Sequence, residues 1–168
     1  MKPPLLLGAA LLALAATVQA AGRQGCDVTV DITDTDPKGT NVRAAPAGAA
    51  LASLKAPGDG WILVHIIAQQ DDWYEIDGAT LIDPGGEDKT VFKGKGYVHK
   101  SVVGLSGMQN GGAIYTDHDD TSPPVDAAAA GDQAVKLLGC WGEFLKVQVK
   151  KGTGWTRQAC TNMVTTCD

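Results

Sequence analysis

Asn41-Val42-Arg43-Ala44-Ala45-Pro46, then Asp72-Trp73-Tyr74-Glu75-Ile76, then Gly96-Tyr97-Val98-His99: these three stretches, in this order, decide how the chain is read. Each is a short run of β-branched or aromatic residues bounded by turn formers, the mark of a strand. The second half repeats the order more loosely. Ala113-Ile114-Tyr115 and Pro123-Pro124 come first, then Phe144-Leu145-Lys146-Val147, then Gly154-Trp155-Thr156. Both halves read as an opening strand, an aromatic-aliphatic strand and a final Gly-aromatic strand. That describes a small β-barrel used twice.

The flanking sequence fits. No window after residue 20 shows a sustained apolar period near 3.6, which argues against a helical domain. Cys26 to Ile32 alternates, with Val28, Val30 and Ile32 on one side, as a half-buried strand does. Trp61 to Ala68 is apolar enough for a strand buried on both sides, and the polar turn Gln69 to Asp72 leads into Trp73 to Ile76. Lys95 to Val98 and Val102-Val103 close the first unit. Ala134 to Leu138, Phe144 to Val149 and Gly154 to Arg157 hold the same places in the second unit. Lys150 to Gly154 reads as a tight turn in which Gly152 supplies positive φ. Gly104 to Gly112 holds four glycines with serine, asparagine and glutamine, the composition of a flexible joint. Asp117 to Gly131 reads as a long polar loop.

Trp73 to Tyr97 spans 24 positions, whereas Phe144 to Trp155 spans 11. The extra residues, within 78–94, predict a hairpin around Asp83-Pro84-Gly85-Gly86. It either walls a groove or docks against the second domain, or it is a tolerated surface insertion.

The ordered motifs resemble the bacterial SH3-like (SH3b) domain family, used in tandem. The family's L-N-V-R-x-x-P signature is matched by Thr40-Asn41-Val42-Arg43-Ala44-Ala45-Pro46, with threonine in place of leucine. Its W-x-x-V core is matched by Trp73-Tyr74-Glu75-Ile76, and its glycine-led final strand by Gly94-Lys95-Gly96-Tyr97-Val98-His99. The second copy departs further: Ala113-Ile114-Tyr115 replaces Asn-Val-Arg, and Phe144 replaces the central tryptophan, with Trp141 three residues earlier. The resemblance implies an all-β fold of two small SH3-like β-barrels, over 21–104 and 112–168, joined by a linker at 105–111. It also implies a non-catalytic module that binds a cell-envelope ligand, either a peptidoglycan peptide or an extended peptide of a partner protein. The alternative is a structural or interaction protein whose two barrels pack rigidly with no open groove.

Residues 1–20 predict the compartment. Lys2 gives a basic start, Leu5 to Ala16 an apolar core, and Val18-Gln19-Ala20 a small-residue cleavage site, the pattern of a secretory signal peptide. The apolar run is short for a membrane anchor, and none follows it. Arg23-Gln24-Gly25 before Cys26 does not form a lipidation box. The protein is therefore expected in a periplasm or outside the cell. With 14 Lys and Arg against 19 Asp and Glu, the chain carries a net charge of −5, and no basic stripe forms. Nucleic acid is excluded as a partner on these grounds.

Cys26, Cys140, Cys160 and Cys167 make an even set in an exported chain and so predict disulfides, with three possible connectivities. Cys140 ends one expected strand and Cys160 follows the last one. That favours Cys140 with Cys160 and leaves Cys26 for Cys167, so the second barrel would be the stapled one. The spacing is too wide for a metal site.

Aromatic residues near strand ends are the candidate ligand-binding residues: Trp61, Tyr74, Tyr97, Tyr115 and Trp141, with Trp155 beside them. They would line a shallow groove for an extended peptide; the competing reading makes most of them barrel core. Tyr74 should point away from Trp73 by strand alternation. Arg43 is expected to lay its stem over the barrel and pair with a carboxylate. His65 reads as a hydrogen-bonded strand residue, His99 as a strand-end surface residue, and His118 as part of a solvated Asp117-His118-Asp119-Asp120 loop without calcium-loop spacing. No nucleophile elbow, phosphate loop or dinucleotide fingerprint occurs. No catalysis, metal or cofactor is expected.

Overall fold

The structure, a computed structural model, describes residues 22–131, 133 and 135–162. The expected leader (1–20) and Cys167 lie outside the described residues. The described chain is all-β, apart from a single 3-10 turn at Lys100–Val102. The strands are β1 (Gln24–Ile32), β2 (Thr40–Arg43), β3 (Ala50–Leu54), β4 (Trp61–Gln70), β5 (Trp73–Ile82), β6 (Lys89–His99), β7 (Val103–Gly104), β8 (Gly107–Met108), β9 (Ile114–Tyr115), β10 (Pro124–Asp126), β11 (Lys136–Trp141), β12 (Phe144–Val149), β13 (Gly152–Thr156) and β14 (Ala159–Cys160).

The first seven strands make one antiparallel sheet in the order β3-β2-β6-β5-β4-β1-β7. Its inner face is written by period-2 alternation. Val28 and Val30 of β1, Ile62, Val64, Ile66 and Ala68 of β4, and Tyr74 and Ile76 of β5 are buried there. β4, read from sequence as buried on both faces, is buried on one and half-covered on the other. β2 joins β6 at Arg43 and Tyr97, so the sheet curls toward a half-barrel. Gly96 makes this closure possible, because a Cβ there would overlap Val42 Cγ1 and the Phe92 ring.

Segment 78–94 is no appendage. β5 and β6 stay paired from Trp73 with His99 out to Leu81 with Lys89, and β4 runs alongside to Ile82. Ala79 and Leu81 thereby enter the core. The expected turn closes the tip, where Gly86 N–H donates to Asp83 O.

Three local expectations are corrected. Trp73, which the family's W-x-x-V core would place inside, is on the outer face, edge-to-face with His99 at 5.1 Å, and Tyr74 points away from it into the core. The register sets this, since Tyr74 pairs with buried Val98, and a one-residue phase shift exchanges the faces. Among the described residues Arg43 finds no carboxylate; its Nη1 donates to Gly48 O at 2.7 Å and braces the turn from β2 to β3. The linker expectation also fails locally. Leu105, Gly107 and Met108 are buried, and β8 pairs with β14.

The second sheet has the order β10-β9-β13-β12-β11. Leu145, Val147 and Val149 of β12 point inward, and the β12–β13 hairpin turns at Gly152, φ 148°. Its core and that of the first sheet form one cluster, running from Val28 and Val30 to Leu145 and Val147. β1 packs on β11 and β12 at the seam. There Cys26 is bonded to Cys140 (Cα–Cα 5.7 Å), and Asp27 N–H donates to Gly142 O at 2.7 Å. Cys140 is thus not paired with Cys160, and the staple joins the two halves rather than closing the second. Its geometric reason is that β1 lies against β11, which puts residues 114 apart in sequence side by side. Cys160 is also disulfide-bonded. Ser106 Oγ donates to buried Asp31 Oδ2 at 2.6 Å, a further tie near the seam.

Candidate aromatic face

The outer side of the second sheet gathers rings from four elements. In β12 the inward series Leu145, Val147, Val149 leaves Phe144 and Lys146 pointing outward. Register then aligns their neighbours. Trp141 is opposite Phe144, Trp155 is opposite Lys146, and Tyr115 is opposite Trp155. Directly opposed residues of antiparallel strands share a face. Trp141, Phe144, Trp155 and Tyr115 therefore lie on one surface, and Trp141 is 45% exposed.

The loop after β9 adds His118. Its ring is 4.5 Å from that of Trp141 and 5.3 Å from that of Trp155, so it fills the space between them. Two cations are already stacked on this surface. Lys146 Nζ stands 5.4 Å from the Trp155 centroid, and the Arg157 guanidinium 5.1 Å from that of Phe144. Arg157 also pairs with Asp120 and with Glu143, the latter at 3.3 Å.

Carboxylates frame the rings. Asp117 Oδ1 accepts the His118 backbone N–H at 2.8 Å, and His118 Nδ1 lies 2.5 Å from the same oxygen. That backbone hydrogen bond, with help from the His118 side chain, holds the Asp117 carboxyl below its usual range. Asp119 is held down by the Thr121 backbone N–H and hydroxyl. Both are ionised at neutral pH. Beside the rings, a hollow of about 210 Å³ is lined by Tyr115, Asp120, Arg157 and Gln158. Arg157 and Gln158 also line a polar cleft of about 530 Å³ that reaches Asp27 and Thr29 across the seam. The face thus offers flat rings, fixed ionised groups and adjoining clefts, which are means of binding.

Of the five candidate residues, Tyr115 and Trp141 meet here, joined by Trp155. The other three stand on the first sheet. Trp61 borders a separate cavity of about 370 Å³ between the Ile32–Thr40 loop and Leu54, and its Nε1 donates to Thr161 O at 3.2 Å. Tyr74 is fully buried and cannot line a groove; burial pushes its phenol upward. Tyr97 is engaged in an ion cluster, its hydroxyl donating to Glu75 Oε2 at 3.3 Å with Lys95 over its ring. Phe144, Lys146, Arg157 and His118 joined the site without having been singled out for it. The alternation of Phe144 to Val149 was a usable signal for the first two. For His118 there was none, because a loop residue's neighbours are set by strand order.

Among the described residues, no group of three or more His, Cys, Asp or Glu is placed to hold a metal ion. No protein-family model, no curated protein and no solved structure matches this chain.

Proposed function

We propose that this protein is an exported, non-catalytic binding module of the cell envelope that lays an extended peptide across the aromatic face of its second sheet. The observation that carries this is the convergence of Tyr115, His118, Trp141 and Trp155 on one surface, with Trp141 45% exposed and the other three half-buried. A folded protein leaves such a cluster uncovered at a cost, and exposed aromatic groups concentrate at recognition sites. Two further features support the reading. The Cys26–Cys140 bond fits an oxidising compartment. The Thr40–Pro46 and Trp73–Ile76 motifs resemble bacterial SH3-like modules, for which a peptidoglycan peptide is the expected ligand class.

The test is co-sedimentation of the oxidised protein with purified peptidoglycan sacculi at increasing salt. Retention that survives moderate salt and is lost in a Trp141→Ala/Tyr115→Ala variant is the expected result. Equal retention of wild type and variant would remove the aromatic face as the site. The alternative, a structural protein of two rigidly packed units, draws support from the shared core and the seam disulfide. It predicts no retention and a partner protein recovered from envelope extracts.

A further inference from the structure

On the aromatic face, the protein's own side chains show what its rings accept. Trp155 carries the Lys146 ammonium and Phe144 carries the Arg157 guanidinium, each within 5.5 Å of the ring centroid. Trp141 is the most exposed ring of the set, and among the described residues no cation stands over it. One side of its ring meets His118.

The charges around Trp141 point the same way. β11 and β12 are joined by Gly142-Glu143, so Glu143 stands at the turn beside Trp141, and its side chain is exposed. His118, against the ring, brings Asp117 with it. Asp119 and Asp120 follow in the same loop. The turn and the loop that flank the ring thus carry four carboxylates, against Arg157 and Lys146, and both of those cations are already stacked. Arg157 is in addition paired with Asp120 and Glu143. The surplus is negative, as it is for the whole chain at −5. A cation placed on an open indole with a net negative loop and turn beside it gains from both terms. An anionic group would be repelled there.

From this geometry we infer that the ligand peptide carries an ammonium or guanidinium side chain, and that this group caps the open side of Trp141 with Glu143 and Asp117 as counter-charges. The inference rests on the aromatic face being the binding site. It adds the chemistry of the bound group. Trp141 supplies the ring, while Glu143 and Asp117 set the sign of the charge accepted.

Titration calorimetry with two short extended peptides tests it: one with a single free lysine, the other identical but acetylated at Nζ. The wild-type protein should bind the free-amine peptide about tenfold more tightly than the acetylated one, given a cation–π contact reinforced by opposite charge. Glu143→Gln should narrow that ratio and reduce the salt dependence. Trp141→Phe should keep part of the preference, and Trp141→Ala should abolish it. Circular dichroism of each variant checks the fold. Equal binding of both peptides by the wild type, or a preference unchanged in Glu143→Gln, overturns the inference. The sacculus assay separates the two readings. If retention depends on Trp141 while the peptides show no ammonium preference, only the cationic ligand falls. If the protein binds neither sacculi nor either peptide, both fall.

Discussion

Glu75 shows how one side chain can anchor a surface. It is only 4% exposed although it is on the outer side of β5, because Arg23 Nε donates to it at 2.9 Å and Lys95 Nζ at 2.8 Å. The hydrogen bond from Arg23, seconded by Lys95, outweighs the cost of burial and holds the carboxyl down to about 2. The folded pKa is below the ordinary 4.5, so the cluster's contribution is complete above that value and is lost as pH falls toward 2. Glu75→Gln is expected to cost about 1–2 kcal/mol at neutral pH and to flatten the acid limb of the stability curve, read by urea unfolding at neutral and acid pH. His65 runs the other way. Its Nε2 is 2.8 Å from Asp27 and its Nδ1 2.7 Å from Asp77, and a neutral imidazole can donate from only one nitrogen. Burial pulls its pKa down, but the two carboxylates outweigh it and the net shift is upward. The gain is therefore full below the ordinary 6.5 and disappears as pH rises through the folded value. Half-exposed pairs contribute less than about 1 kcal/mol. Thermal melts should show the gap between wild type and His65→Gln widest below the ordinary 6.5 and closing as pH rises above it.

At the scale of elements, closeness of approach decides more than strand propensity. β2 reaches β6 only because position 96 is glycine, so Gly96→Ala should cost about 1–3 kcal/mol through overlap with Val42 and Phe92. Chemical denaturation measures it, and an unchanged midpoint would show that the two strands can separate cheaply. β3 is an edge strand free of charge and proline, yet it is not a clean template for pairing. Its register against β2 skips Leu51, which bulges out 55% exposed. β11 and β12 pair with one register shift, between Leu137 and Gly139, and Trp141 is beyond it at the exposed end of the pair, so Trp141→Ala should change stability by less than about 1 kcal/mol on urea unfolding.

Over the whole molecule, the seam is the decisive feature. The Cys26–Cys140 bond closes a loop of more than a hundred residues, and such a cross-link removes much of the unfolded chain's freedom. A Cys26→Ser/Cys140→Ser variant should lose about 3–5 kcal/mol on calorimetric unfolding. Because Met108 is fully buried and β8 pairs with β14, limited proteolysis should spare 104–112 in the oxidised wild type. Rapid cutting there would mean that the halves separate readily.

The sequence by itself determined the local matters. Alternation along Cys26 to Ile32 and Phe144 to Val149, the turns at Asp83–Gly86 and Gly152, and the absence of helical periodicity led to an all-β chain. These are read over a few residues, where backbone sterics and side-chain period act alone. Tyr115 and Trp141 stood out because aromatic residues are few and these two are near strand ends, and the strand register puts both on one face. The tertiary structure decided everything that depends on which strands become neighbours. It turned Tyr74 inward and Trp73 outward, since the register with β6 fixes the face and the two residues are otherwise interchangeable there. It paired Cys26 with Cys140, since β1 packs against β11 of the second sheet. It buried Leu105, Gly107 and Met108, since β8 pairs with β14. It also brought His118 between two tryptophans. Such pairings join residues far apart in the chain, and no local pattern encodes them; they follow from burying one continuous apolar surface with every strand in register.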